Sequence, residues 1–243
     1  MDAIYDTSVN AELLAGMRLA RQAIARGQLV VMPTDTVYGV AADAFNPEAV
    51  ALLLAAKGRD RQAPPPVLIP SVATLDALAS SVPDAVRDLA AAFWPGGLTI
   101  ILDAQPSLAW DLGETRGTVA LRVPNHPIAL ELLADTGPLA VSSANLTGAP
   151  AARTAANALE QLGESVAVYL DGGEVGSDPS TIIDATGLAR GTGGIRILRE
   201  GVISAAALLE VIGDLLEPAT EILGATEAPD AASASTPPAG NGD

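Results

Sequence analysis

Four short clusters in this 243-residue sequence combine hydroxyls, amides and cations at spacings suited to a polar, anionic ligand. Lys57-Gly58-Arg59-Asp60-Arg61 sets three cations within five residues, just ahead of the rigid turn Pro64-Pro65-Pro66. A guanidinium grips a phosphate or carboxylate with two parallel hydrogen bonds, and an ammonium acts on it as a point charge. Favourable placement of cations at a helix C-terminus accounts for one or two of these bases and leaves the third over. Ser142-Ser143-Ala144-Asn145-Leu146-Thr147-Gly148 follows an apolar run. If strand geometry continues, Ser143 and Asn145 share a face, because strand side chains repeat every second residue. A hydroxyl and an amide so placed can hydrogen-bond a ligand, whereas a serine nucleophile would need a base.

The third cluster, Pro33-Thr34-Asp35-Thr36-Val37-Tyr38-Gly39, offers hydroxyl and backbone donors at the end of a strand, and equally reads as an ordinary Asx or Ser/Thr turn. The fourth is Pro179-Ser180-Thr181, followed by Arg196 and Arg199 on the next strand. Arg122 and Arg196 are flanked by apolar residues. A buried guanidinium is costly when unpaired, so each must meet an acid, with Asp184 or Asp171 the candidates, or an anionic ligand. His126, the only histidine, sits in Pro124-Asn125-His126-Pro127 and reads as a satisfied structural residue at a helix entry. A serine hydrolase built on Ser142 or Ser143 therefore lacks a base, and there is no G-x-S-x-G elbow. The glycine-rich pieces lack the spacing of a phosphate-binding P-loop and are assigned to turns.

These clusters need a scaffold, and the pattern supplies one. Strands are expected at Gln28–Met32, Val67–Ile69, Leu98–Leu102, Thr118–Val123, Leu139–Ser142, Ala167–Leu170, Thr181–Ala185 and Ile195–Leu198. Helices are expected at Ala11–Arg26, Asn46–Ala56, Asp84–Ala92, Pro127–Ala134, Thr154–Leu162 and Ser204–Leu216, with Asn46 an N-cap and Pro47 at the first helical position. Alternation of the two predicts an α/β fold with helices on the faces of a sheet. The turn between Thr181–Ala185 and Ile195–Leu198 is too short for a parallel crossover, so the sheet is mixed. One domain over residues 1–216 is expected, then a disordered acidic Ala/Pro/Ser/Thr-rich tail at 217–243.

Composition narrows the function. There is no cysteine, so disulfides and thiolate metal sites are excluded, and one histidine excludes a multi-histidine metal centre. No apolar run reaches the roughly 20 residues that cross a bilayer, and no secretory pattern opens the chain; a cytoplasmic protein is expected. All 13 basic residues lie at or before Arg199, and the first 199 residues still carry 21 acids, a net −8. Such a body is expected to bind nucleic acid weakly or not at all through general electrostatics.

Taken together, PTDTVYG, AKGR, FWPGGLTIIL, VALRVPNHP, SSANLTG, PSTIID and RILREG, in this order across about Gln28 to Gly201, resemble the YrdC-like family of threonylcarbamoyl-AMP synthases. The resemblance implies a twisted, open α/β fold with a mixed sheet and a large concave cavity. It also implies a nucleotidyl transfer: L-threonine, bicarbonate or CO2, and ATP with its Mg²⁺ give threonylcarbamoyl-AMP and pyrophosphate. The product serves the threonylcarbamoyladenosine modification of tRNA, through transient handover to a tRNA threonylcarbamoyl transferase complex. Carried over by residue, Lys57, Arg59, Ser143 and Asn145 form the catalytic tetrad around the nucleotide. Arg61, Thr118 and Arg196 join them on ATP, and Thr36, Arg122 and Ser180 hold threonine. No side chain is assigned to the metal. Pro70 stands where many family members have a histidine, and the chain resembles the short form without a second C-terminal domain. A nucleotide- or RNA-binding module of the same fold is the alternative.

Overall fold

A ten-stranded mixed sheet carries the fold in the computed structural model, which describes residues 4–218. The chain runs β1 (Ile4–Asp6), α1 (Asn10–Ala25), β2 (Val30–Met32), β3 (Gly39–Asp43), α2 (Pro47–Ala56) and β4 (Val67–Leu68). It continues through α3 (Leu75–Leu78), α4 (Asp84–Phe93), β5 (Leu98–Asp103), β6 (Thr118–Arg122), α5 (Pro127–Thr136) and β7 (Leu139–Ser143). The last elements are α6 (Ala155–Leu162), β8 (Val168–Asp171), β9 (Thr181–Asp184), α7 (Thr186–Ala189), β10 (Arg196–Arg199) and α8 (Ala205–Ile212). Spatial order is β1-β8-β2-β3-β7-β4-β6-β5-β9-β10, an open sheet with both parallel and antiparallel neighbours. β9 and β10 pair antiparallel, as the short turn between them requires.

Every helix and strand expected from the pattern is present, with ends moved by a residue or a few. The sequence reading missed β1 and β3. Gly39-Val-Ala-Ala-Asp43 is poor in the β-branched and aromatic residues that signal a strand. It becomes one because β2 and β7 flank it and pair antiparallel along its length. Gly39 itself is fixed by space: a Cβ there would meet Val141 Cγ1 at 2.6 Å.

Strand alternation sorts side chains into layers. Leu98, Ile100, Leu102, Leu121 and Ile183 pack with Val86 and Leu89 of α4 and Leu208 of α8. Toward the other half of the sheet, Met17 and Ile24 of α1 and Leu132 and Leu133 of α5 cover Val30, Met32, Ala41 and Val141. On the opposite side Leu53 of α2 and Ala158 and Leu162 of α6 cover Val31, Val40 and Tyr169. The residues that alternate with the α4–α8 layer, among them Thr99, Ile101, Ala120 and Ile182, open onto a cavity instead of a helix.

The expected end of the domain shifts. Glu217 belongs to it, since its amide donates to Ile195 O (2.8 Å) and its carboxylate accepts from the Gly194 amide (2.6 Å). Residues 219–243, the rest of the expected tail, lie outside the described residues. No helix among the described residues is long and apolar enough to cross a membrane.

Candidate active site

The uncovered face of the sheet forms a cavity of about 450 Å³. Of the expected site residues, Thr36, Arg59, Thr118, Arg122, Ser143, Asn145 and Ser180 line it; Lys57, Arg61 and Arg196 do not. Its lining holds three arginines, Arg59, Arg122 and Arg199, and no carboxylate.

One wall is built where α2 ends. Asn46 caps the helix by accepting from the amides of Glu48 and Ala49, both at 3.1 Å. At the other end Gly58 takes φ +64°, the Gly58 amide donates to Ala55 O (2.9 Å) and the Arg59 amide to Leu54 O (2.9 Å), a Schellman stop. That left-handed residue separates its neighbours: Lys57 turns inward and is 1% exposed, while Arg59 reaches the cavity. The Lys57 ammonium donates to Ser143 O, to Asn145 O (2.6 Å) and to Asn145 Oδ1 (3.5 Å). Asn145 Nδ2 donates to Leu146 O (2.9 Å) and Ala149 O (2.7 Å). Lys57 and Asn145 thus hold the loop after β7 in shape, and Lys57, expected at the nucleotide, lies behind the cavity wall. Thr147 completes the lock: its hydroxyl donates to Lys57 O (2.9 Å) and accepts from Arg59 Nε (3.1 Å), while Arg59 NH1 reaches Ser142 Oγ (3.3 Å). The Ser143 hydroxyl has no partner among the described residues and faces the cavity. Burial, and then the Arg59 charge, push the Lys57 ammonium down to about 8.

The opposite end is deeper. Arg122 on β6 is nearly buried, with Nε donating to Gly96 O (2.9 Å), NH1 to Thr36 Oγ1 (3.0 Å) and NH2 to Asp35 Oδ1 (2.6 Å). Its acid partner is therefore Asp35, neither Asp184 nor Asp171. Asp35 also accepts from the Asn125 amide (2.8 Å). Thr34 donates to Val37 O (2.6 Å) and lies 3.1 Å from Thr36 Oγ1, so the hydrogen of that pair is Thr36's. Thr36 then offers a remaining lone pair to the cavity. Ser180 Oγ lies 2.9 Å from Thr99 Oγ1 and accepts from Arg199 NH2 (3.2 Å).

Arg199, unassigned from sequence, lines the cavity, and Arg196 does not. The ladder of β9 and β10 pairs Arg196 with Asp184 and Ile197 with Ile183, then slips so that Arg199 stands opposite Ile182. Plain alternation would put Leu198 there; the bulge displaces it and brings Arg199 onto the cavity face. Arg196 lies beyond the cavity, exposed and paired with Asp184 (2.6 Å). Arg199 is exposed by area and donates to Ser180 O (2.7 Å); partial desolvation, then the Arg122 and Arg59 charges, hold it below the ordinary arginine value. Arg61 is likewise spoken for: it pairs with Asp111 (2.7 Å) at the surface.

Two further expectations change. Pro70 does not line the cavity, whereas Leu68 on β4, the ladder partner of Arg122, does. His126 is not fully satisfied: its buried Nδ1 has no hydrogen-bond partner among the described residues. Burial depresses its basicity, with the Asp35 charge opposing. Among the described residues no group of three or more His, Asp or Glu side chains could hold a metal ion. The cavity offers hydroxyls and carbonyls but no carboxylate, so it does not fit a resident Mg²⁺, a hard cation that prefers carboxylate and water oxygens.

Comparison with known proteins points one way. The Sua5/YciO/YrdC family profile, described as "Telomere recombination", matches residues 22–201. A protein of Mycobacterium tuberculosis (strain ATCC 25618 / H37Rv) called putative threonylcarbamoyl-AMP synthase is 49% identical over 214 residues, 88% of this chain and 96% of its own. Threonylcarbamoyl-AMP synthase of Bacillus subtilis (strain 168) is 37% identical over 191 residues, 77% of this chain and 54% of its own. A crystal structure of P. abyssi Sua5 complexed with L-threonine superposes with a TM-score of 0.76 at 35% identity, over 84% of this chain and 59% of that one. The chain thus spans little more than half the length of the last two relatives.

Proposed function

The chain belongs to the Sua5/YciO/YrdC family, and on that footing we infer that it is a threonylcarbamoyl-AMP synthase, a nucleotidyltransferase serving tRNA modification. The observation that carries the residue roles is a cavity with three arginines and no carboxylate, hydroxyls at both ends and no nucleophile–base pair. Such a site suits a reaction that needs positioning and charge stabilisation in place of covalent chemistry.

Threonine lies at the deep end, its carboxylate on Arg122 and its amine near Thr36, which can only accept, with Ser180 alongside. The neutral amine bonds to the carbon of CO2 and releases a proton, or to that of bicarbonate with loss of water, and either route gives the carbamate. A carbamate oxygen then bonds to the α-phosphorus of ATP as the bond to the pyrophosphate oxygen breaks. Arg59, Ser143, Thr118 and Arg199 face the triphosphate, while Lys57 and Asn145 keep their loop in place. Mg²⁺ travels with ATP as the counter-ion of its phosphates. We place the reaction in the cytoplasm, over residues up to Glu217, with the unstable product passed to a tRNA threonylcarbamoyl transferase complex.

The test is pyrophosphate release from ATP with each substrate omitted in turn. Release that needs threonine, bicarbonate and ATP together is expected. Nucleotide binding without threonine-dependent release would replace this reading with that of a binding module.

A further inference from the structure

Asp35 lies behind the cavity wall rather than on it, yet it is the carboxylate that pairs with a cavity arginine. Its side chain is 17% exposed and that of Arg122 7%. Arg122 has five N–H groups. Gly96 O, Thr36 Oγ1 and Asp35 Oδ1 take three, which leaves one on each terminal nitrogen. That is the number a carboxylate accepts in a two-point contact. The acceptors come from two separate segments, the Asp35-Thr36 turn and Gly96, and meet all three guanidinium nitrogens, so they fix its plane as well as its charge. Asp35 is itself held by the Asn125 amide (2.8 Å), at the entry to α5.

We propose that Asp35 is a positioning residue for the amino-acid substrate: it locks the Arg122 guanidinium in the one orientation that presents two N–H groups to the substrate carboxylate. This rests on the reading of Arg122 as the carboxylate site. The opposite hypothesis makes an opposite forecast. If Asp35 served only to balance charge, neutralising it would add net positive charge to the cavity and tighten carboxylate binding. If it positions Arg122, the same change weakens binding, because a rotatable guanidinium must be ordered again by each substrate.

The experiment is steady-state pyrophosphate release by Asp35→Asn, with threonine varied at saturating ATP and bicarbonate, then ATP varied at saturating threonine. A threonine KM raised roughly tenfold, with the ATP KM within about twofold, is expected. A threonine KM that is unchanged or lower, or equal rises in both KM values, overturns the proposal. Asp35→Glu, which keeps the charge, should recover part of the threonine KM; if Asp35→Asn does not fold, wild-type threonine KM in Asp35→Glu together with an unaltered melting temperature overturns it. Arg122→Lys separates the two levels. If that variant keeps the wild-type threonine KM, the reading of Arg122 fails; if it loses threonine while Asp35→Asn does not, only the role of Asp35 fails.

Discussion

The two ends of the cavity use the same residue type in different ways. At the deep end Arg122 is nearly buried, paired with Asp35 at 2.6 Å and engaged by three acceptors. Arg59 at the shallower end is held by two hydroxyls, and Arg199 by Ser180 at the edge of the deep end, with no carboxylate partner for either among the described residues. A buried cation needs compensation, and once compensated it can be rigid. The deep end therefore suits a small amino acid whose orientation matters. The under-compensated pair suits a polyanion, since the mutual repulsion of Arg199, Arg122 and Arg59 is relieved when phosphates arrive. Rigidity at the shallow end comes from elsewhere: Lys57, buried behind it, ties down the carbonyls of Ser143 and Asn145.

The hardest blow to this contrast is Arg122→Ala. It should lower kcat/KM for threonine by about 100-fold or more, because Asp35 is left buried and unpaired as the substrate loses its anchor. A loss below about fivefold would remove the deep end from the site. Next comes the pair Lys57→Met and Arg59→Ala. Both should cut kcat/KM for ATP by about 30-fold or more, but only Lys57→Met should also destabilise the fold, by about 1–3 kcal/mol, because it strands buried carbonyls. Equal melting temperatures for the two variants would contradict the assignment of Lys57 as a positioning residue.

Arg199→Ala should lower pyrophosphate release about tenfold, and Arg196→Ala less than about twofold, since Arg196 is exposed beyond the cavity and Asp184 keeps its bonds from Thr186. The reverse order would mean that the bulge of β10 is misplaced. A pH dependence sharpens the shallow end further. Lys57 sits at about 8, below its ordinary 10.5, through burial and the Arg59 charge. As pH rises through about 8 the amine loses a donor and its grip on the loop, so kcat/KM for ATP should fall by up to about tenfold per pH unit. Stability runs the other way. Between about 8 and 10.5 the unfolded chain holds the extra proton at this site, so this group adds stability as pH rises. A flat profile for kcat/KM between pH 7 and 9.5 would refute the first half of that statement. The smallest effect belongs to Arg61→Ala. With its exposed partner Asp111 it should change activity by less than about threefold and stability by under 1 kcal/mol; a larger loss of ATP affinity would restore it to the nucleotide site.

How far the sequence reached is best judged by individual residues. Asn46, Pro47 and Gly58 announce the limits of α2, because capping and left-handed backbone are local requirements that residue type alone satisfies. Strand alternation likewise set Ser143 toward the cavity, but β7 ends there and the Asn145 side chain turns into its own loop. Hydrophobic pattern could not find β3, whose strand character is imposed by two neighbours, nor the slip in β10 that exchanges Leu198 for Arg199. Nor could it tell that Lys57 points inward while Arg59, two residues later, points to the cavity.

The sequence by itself determined the α/β alternation, the mixed sheet, the family and seven of the residues that line the cavity, because each is written in local pattern or in motif order. Tertiary structure alone decided which charge meets which. Asp35 with Arg122, Thr36 with Arg122, Lys57 with Ser143 and Asn145, and Arg59 with Thr147 are joined across 86 to 88 residues of chain. Such pairings depend on strand order and register, and no local propensity encodes them. The same holds for Arg196 and Arg199: the first pairs with Asp184 ahead of the bulge and stays outside the cavity, and one extra residue in an edge strand brings the second to it.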